Sequence, residues 1–582
     1  MATDGAGGVG LAAAAGPDGL PEDDTPPRPG RRFRPDPVLV VAALLVLVPT
    51  LVAMGSALRN PWAPTNDWAL LELQVRQVGT AHTPLLGAWS RFGWRHPGPL
   101  PFYLMALPYR LAAPEHGLLF AAGVVNFLAT LGCVAVAVRH PRLRALTLLA
   151  GLAVLERGLG ISQLGDPWNP TLPIVPFALF VLLCLELVLG PRRWTLPALV
   201  GVASFVVQAH VGFAQPVAAI GAATAALWWL EHRRLPAWRR LVPAAAVAGL
   251  AWLPVAFDEV VRTGNLSTIV RWSSGASVAP GMGRLTEGTM TAHRAVGALA
   301  WLVDPTGLWI GNVTPINAFG YPLLGQSSRL LLVVVAAMLA AALVLARRAP
   351  LADGYGRAVR AAAGLAAAGL AATATDLLTA RGLPVFWPFR WVAVVTMTVF
   401  VALGFAVAGV AARRVPALDD PAWRPRPGAG GRRGLAAAGA ALALVAVPVA
   451  ATVWGGSLGH QPEEAQSHAL LRLVPAIERA GRGQPFVVAN STAMLSTVDL
   501  GLPVILERAG IPWVDITDRR AAGHPQLSLA PAAALDGLTG YAIDTGQAEL
   551  LARSGPPRRG EPRDSELILV RRTAPPAPPA DD

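Results

Sequence analysis

The sequence contains no lysine; all 48 residues of its Lys+Arg total are arginine. A Walker A phosphate loop and a pyridoxal Schiff base both need that side chain, so ATP-driven transport by this chain alone and pyridoxal chemistry are excluded by residue type. Cysteine is nearly absent, with 2 in 582 residues. Cys133 and Cys184 lie in apolar segments, where each behaves as a small hydrophobe, and neither a disulfide nor a thiolate metal site is indicated. Charge is scarce too, at 14%, where soluble domains carry roughly a quarter. No HExxH or comparable ligand spacing occurs, so neither a metal nor a cofactor is predicted.

What is abundant is apolar. At 53% hydrophobic residues the composition is that of a polytopic α-helical membrane protein. A net charge of +12 would ordinarily suggest nucleic acid, but the arginines cluster in short runs between apolar segments, as cytoplasmic loops require. The charge is topological, and the expected partner is membrane lipid, with no nucleic acid. Enrichment in Arg, Ala, Gly and Pro without Lys fits a GC-rich bacterium.

Residues 1–36 are Gly/Ala/Pro-rich and acidic, the pattern of a disordered cytoplasmic tail. Residues 37–58 form an uncleaved anchor. Topology turns on 100–113, which is apolar but short and interrupted by Pro108 and Arg110. Counted as a span it inverts every later basic loop; counted as an interfacial helix it leaves Arg139, Arg142, Arg144, Arg192, Arg193, Arg233, Arg347, Arg413 and Arg432 all inside. Further spans fall near 117–138, 143–160, 171–190, 195–210, 212–231, 241–257, 329–346, 357–379, 390–411 and 434–454, which makes about eleven transmembrane helices. The N-terminus is then cytoplasmic and the C-terminus extracytoplasmic at the plasma membrane. The transmembrane domain is 37–454, with extracytoplasmic loops at 59–116 and 258–328. Together with 165–170, 208–210, 381–390 and the C-terminal region, these loops converge on one face.

From 455 to 572 the composition is that of a small extracytoplasmic α/β domain. Helices are expected at 469–480 and at 492–509, the second interrupted by Pro503, and strands at 486–489, 513–516, 541–543 and 566–570. A disordered Pro-rich tail occupies 573–582.

The stretch 60–101, NPWAPTNDWALLELQVRQVGTAHTPLLGAWSRFGWRHPGPLP, mixes Asp67, Glu72, Arg76, Arg91, Arg95 and His96 with tryptophans and prolines, as suits a membrane–water boundary. Asp67 is placed either to cap a helix beginning at Trp68 or to act as a base. Glu72 and Arg76, four apart, are expected to pair. Arg91 and Arg95 share that spacing and do not stabilise one another, which implies an anionic partner, a role lipid headgroups would also serve. Asp166, Trp168 and Asn169 sit in a proline-bounded loop at a helix end. His210, with Gln208, either binds an acceptor or terminates two helices. Asn265, Asn312 and Asn490 are glycosylation sequons by pattern only.

An acidic pair just past the first membrane helix, then about thirty residues on a basic residue, Pro-x-Leu and an aromatic, form a recognisable order. In this chain they are Asn66-Asp67, Glu72, and His96-Pro97-Gly98-Pro99-Leu100 with Phe102-Tyr103. The pattern resembles the first extracytoplasmic loop of polyprenyl-phosphate-dependent GT-C glycosyltransferases, the branch with protein O-mannosyltransferases and lipid A aminoarabinose transferases. The resemblance covers roughly residues 37–230. It implies a GT-C-like fold and inverting transfer of a sugar from a polyprenyl-phosphate donor to an envelope polysaccharide, lipid or protein. It implies Asp67 and Asn66 at the catalytic position, and Arg91, Arg95 and His96 at the donor phosphate. Glu72, Asp166, Trp168, Asn169 and His210 would line the donor or acceptor pocket. The family shows Asp-Glu where this chain has Asn66-Asp67, which leaves Asp67 as the only acid of the pair. Two other readings are a lipid or polysaccharide flippase or transporter, and a catalytically inactive envelope scaffold. Glu156, Glu186 and Asp376 lie near predicted helix ends and not at the bilayer midplane, which counts against a carrier.

Overall fold

The computed structural model describes residues 36–90, 92–233, 235–275, 290–306, 323–380, 385–419, 429–455, 461–481, 486–488, 500–515, 526–532, 548–558, 561 and 565–572. α1 (Pro37–Arg59) opens on a proline, whose fixed φ suits a first helical position, and its N-cap Asp36 accepts from Val38 N at 3.0 Å. Asp36 is buried and paired with Arg142. The disordered tail expected over 1–36 is therefore corrected at its last residue, and the rest of it lies outside the described residues.

The first loop folds into α2 (Asn66–Gln77) and α3 (Leu100–Leu111). On α3, Phe102, Met105, Ala106 and Tyr109 are buried, while Leu104, Leu107 and Leu111 are exposed on the other side. A short helix with one face on protein and an apolar face left open belongs at a membrane boundary. The bundle continues with α4 (Pro114–Ala137), α5 (Arg142–Leu164), α6 (Ile174–Leu189), α7 (Thr195–Ala209), α8 (Ala214–His232) and α9 (Trp238–Val261). Two short helices, α10 (Asn265–Ser273) and α11 (Ala292–Leu302), fall in the second long loop. They are followed by α12 (Leu330–Arg348), α13 (Tyr355–Thr379), α14 (Val392–Arg414) and α15 (Ala429–Trp454). Among the described residues, 8 helices are long and apolar enough to cross a membrane. Shorter apolar helices at Ile174–Leu189, Thr195–Ala209 and Gly439–Trp454 stand where the sequence placed the remaining spans. The main core forms where α5 packs on α1, α14 and α15, and where α13 packs on α8 and α14.

The contacts at the helix ends bear on the status of α3. Trp62 N donates to Glu115 O at 2.9 Å and His116 Nδ1 meets Ala57 O at 2.8 Å, so the end of α1 and the start of α4 share one face. A membrane-crossing α3 would separate them. The opposite face gathers the pair Asp36–Arg142, the His140–Glu186 contact at 3.1 Å and the Tyr355 hydroxyl donating to Asp419 at 3.0 Å.

The C-terminal portion forms a five-stranded sheet in the order β2-β1-β3-β5-β4, made of β1 (Phe486–Val488), β2 (Trp513–Asp515), β3 (Gln526–Pro531), β4 (Ala548–Arg553) and β5 (Leu567–Arg572). β1 runs parallel to β2 and β3, and β5 antiparallel to β3 and β4. α16 (Glu464–Gly481) buries Leu470, Leu473 and Ile477 against it, with Leu502, Ile505 and Leu506 of α17 (Gly501–Arg508). The strand expected at 541–543 lies outside the described residues. Pro503 does not interrupt α17; it sits in the first turn, where a missing N–H costs nothing.

Candidate active site

α2 starts at Asn66, with Thr65 as its N-cap. Asp67 therefore does not cap a helix beginning at Trp68; it lies inside the first turn, where the helix dipole favours a carboxylate. Asn66 has a φ of 52°, a left-handed conformation that asparagine tolerates better than most residues. Its Oδ1 is buried with no hydrogen-bond partner among the described residues, whereas Asp67 is exposed. Of the two, Asp67 is the one a substrate would meet.

The partner of Asp67 comes from the loop after α5. Gly160, at φ 71°, breaks that helix and redirects its last turn, a conformation that excludes a Cβ without strain. Asp166 then accepts from Trp168 N at 2.9 Å and from Trp68 Nε1 at 2.8 Å. Burial pushes the Asp166 carboxyl above the ordinary aspartate range, against the pull of these bonds and of the nearby Arg390 guanidinium. So anchored, Trp168 donates from Nε1 to Asp67 Oδ2 at 3.0 Å. Its ring lies 5.5 Å from that of Trp68 and 5.7 Å from that of Trp387. Arg390 sets its guanidinium 5.6 Å from the Trp168 ring and donates to Thr171 Oγ1 at 2.9 Å. Arg390 Nε is buried without a hydrogen-bond partner among the described residues. Asn169, half-buried, follows Trp168 in the same loop.

The residues expected at a donor phosphate divide. Arg91 lies outside the described residues. Arg95 sits opposite Trp89 in a hairpin, with its guanidinium 5.3 Å from the Trp89 ring and Nη1 3.5 Å from Gln74 Oε1. Gln74 is seven residues beyond Asp67 on the same face of α2, about 10 Å along the axis. Arg95 thus shares that face with Asp67 but not the Trp168 cluster. Its backbone is tied to the side chain of Asn265, which is buried and so unavailable as a sequon.

His96 is corrected. It is buried, its Nδ1 accepts from Val211 N at 3.1 Å, and its ring lies 4.4 Å from that of His210. Burial and the neighbouring His210 hold its pKa well below the ordinary histidine range, so it is neutral and supplies no charge to a phosphate. His210 ends α7 and accepts from Gly212 N at 3.1 Å, and burial brings its pKa down to about 4. It closes α7 and caps the short turn that follows. Gln208 Oε1 accepts from Leu100 N at 3.3 Å and its Nε2 donates to Ala251 O at 2.8 Å, which fixes the His96–Leu100 segment.

Glu72 does not pair with Arg76. It is fully buried, and Arg508 of α17 grips it with two bonds, Nε to Oε1 at 2.8 Å and Nη2 to Oε2 at 2.7 Å, while the Tyr109 hydroxyl adds a third at 2.8 Å. Arg76 turns to Glu507 at 3.1 Å. No local spacing marks these partners, which stand more than 400 positions away. Arg390 was equally hidden, because it stands inside the aromatic, apolar run that leads into α14. Among the described residues no group of three or more His, Cys, Asp or Glu is placed to hold a metal ion.

No protein-family model matches this chain, and no curated protein matches it in sequence. Solved structures do. A crystal structure of ArnT from Cupriavidus metallidurans bound to undecaprenyl phosphate aligns with a TM-score of 0.52 at 14% identity, over 91% of this chain and 97% of that one. The apo structure of the same protein gives a TM-score of 0.53 at 14% identity, over the same shares. The chain therefore shares the overall fold of these ArnT structures.

Proposed function

We propose that this protein is a membrane glycosyltransferase that moves a sugar from a polyprenyl-phosphate donor to a cell-envelope acceptor on the extracytoplasmic face. The observation that carries the reading is that Asp67 and Arg390 meet the same indole, Asp67 accepting from Trp168 Nε1 at 3.0 Å and Arg390 lying 5.6 Å from its ring, within a GT-C-like fold. An exposed carboxylate and a guanidinium with unused donor capacity are the two charges such a transfer needs. Asp67 takes the proton from an acceptor hydroxyl as that oxygen bonds to the anomeric carbon. The bond from that carbon to the phosphate oxygen breaks, and the polyprenyl phosphate leaves with the electron pair. Arg390 neutralises the departing phosphate, with Arg95 further along the same face of α2 as a second cation. Attack opposite the leaving phosphate inverts the anomeric centre.

With the arginine runs read as cytoplasmic, α2, the Asp166 loop and the C-terminal domain would lie outside the cytoplasm. The acceptor is an envelope polysaccharide, lipid or protein. The test is the full chain in proteoliposomes with radiolabelled polyprenyl-phosphate sugars and envelope extract from a deletion strain. Label moving to the extract and polyprenyl phosphate released in equal amount support the reading. Labelled lipid crossing the bilayer without transfer would point to a flippase, and neither event to a scaffold.

A further inference from the structure

α2 is held on two sides and open on a third. Leu71 and Val75 are buried in the main core of the helix bundle, and Ala69 packs on Leu500 and Val504 of the C-terminal domain. Asp67 and Gln74 share the remaining side. The C-terminal domain also grips the chain just before the helix. Ala63 N donates to Ser467 Oγ at 2.9 Å, Trp62 Nε1 donates to Pro462 O at 2.9 Å, and Thr65 Oγ1 donates to Gln466 Oε1 at 3.2 Å.

Arg508 joins the two grips. Its Nη1 donates to Trp62 O at 3.1 Å, ahead of the helix, while Nε and Nη2 close the fork on Glu72, in the second turn. One guanidinium thus spans the short stretch that contains Asn66 and Asp67. Apolar contact alone would suffice to hold two domains together. A fork on a buried carboxylate adds fixed direction, because planar bidentate pairs tolerate little rotation.

We propose that Arg508 is a positioning residue for Asp67: it fixes the angle and register of α2 so that the Asp67 carboxylate meets Trp168 Nε1 and the acceptor hydroxyl. The C-terminal domain is then part of the reaction site without touching substrate. This rests on Asp67 being the base.

The test compares the purified full chain with Arg508→Met and Arg508→Lys, using hydrogen exchange of residues 66–77 and transfer kinetics. In Arg508→Met, exchange across 66–77 should quicken at least about tenfold, with 142–164 and 392–414 unchanged. The kcat should fall by about tenfold or more while KM for the lipid donor stays within about twofold. Arg508→Lys, which keeps the charge but not the fork, should fall between Met and wild type in both readouts. If Arg508→Met speeds exchange everywhere, the lysine variant decides. Wild-type exchange over 66–77 in the lysine variant, or a loss expressed in KM with kcat intact, overturns the proposal. A wild-type chain that transfers no sugar removes the glycosyltransferase reading, and the exchange data then decide separately whether Arg508 holds α2.

Discussion

Trp168 donates its indole N–H to the Asp67 carboxylate at 3.0 Å, from a loop about 100 residues further along the chain. The bond ties the exposed Asp67 carboxylate to an indole that is itself anchored by Asp166. Trp168→Phe should keep the ring packing and lose the donor. Transfer is expected to drop by about tenfold, the size of one hydrogen bond to a charged group, with little change in melting temperature. Trp168→Ala should lose more, since the rings of Trp68 and Trp387 and the Arg390 guanidinium all rest on that indole. Side-by-side initial rates at saturating donor check both.

Arg390 is expected to act on the departing phosphate through a directed fork. Arg390→Lys should then be nearly as damaging as Arg390→Gln, each by roughly a hundredfold in kcat, because an ammonium offers no matched pair of donors. Full activity in the lysine variant would reduce Arg390 to a nonspecific positive charge.

The histidine pair predicts a pH dependence of stability. Both rings accept backbone N–H bonds at Nδ1, so both are neutral in the fold, and burial depresses their pKa values below that of an unfolded histidine. The unfolded chain binds protons first as pH falls, so this contribution is complete above about pH 6.5 and declines below it. For His210 the decline continues to its folded value of about 4 and amounts to on the order of 3 kcal/mol. His210→Gln, which retains an acceptor for Gly212 N, should flatten the fall in melting temperature between those limits. Equal slopes in both proteins would remove His210 as the cause.

Gly98 has no room for a side chain: a Cβ there would meet Gln208 Oε1 at 2.2 Å. Gln208 is buried and bonded at both ends of its amide, so it yields only by breaking those bonds. Gly98→Ala should destabilise by roughly 1–3 kcal/mol, read as a lower melting temperature in detergent.

Much of the architecture was legible because the bilayer imposes long apolar helices and sorts arginines to one side. The arginine runs predict an interfacial α3, and the contacts Trp62–Glu115 and Ala57–His116 bring the end of α1 to the start of α4. The gathering of Asp67, Asp166 and Trp168 was legible as a shared face, though not as a bonded group. What escaped were pairings decided by tertiary distance. Glu72 and Arg76 stood at ideal helical spacing, yet each found a partner in α17, Arg508 and Glu507. His96 looked cationic because the sequence carries no record of burial. β3 and β4 were missed, although Leu527 and Leu529 of β3 are buried on either side of Ser528.

The most direct measurement is the transfer rate of Asp67→Asn in proteoliposomes, after confirming a wild-type melting temperature and yield. The carboxylate-to-amide change keeps the shape and removes the base, and the account expects a loss of 10²–10⁴-fold, not restored by adding Asn66→Asp, whose side chain points into a buried position. Wild-type transfer by Asp67→Asn, or full rescue by Asn66→Asp, would contradict it.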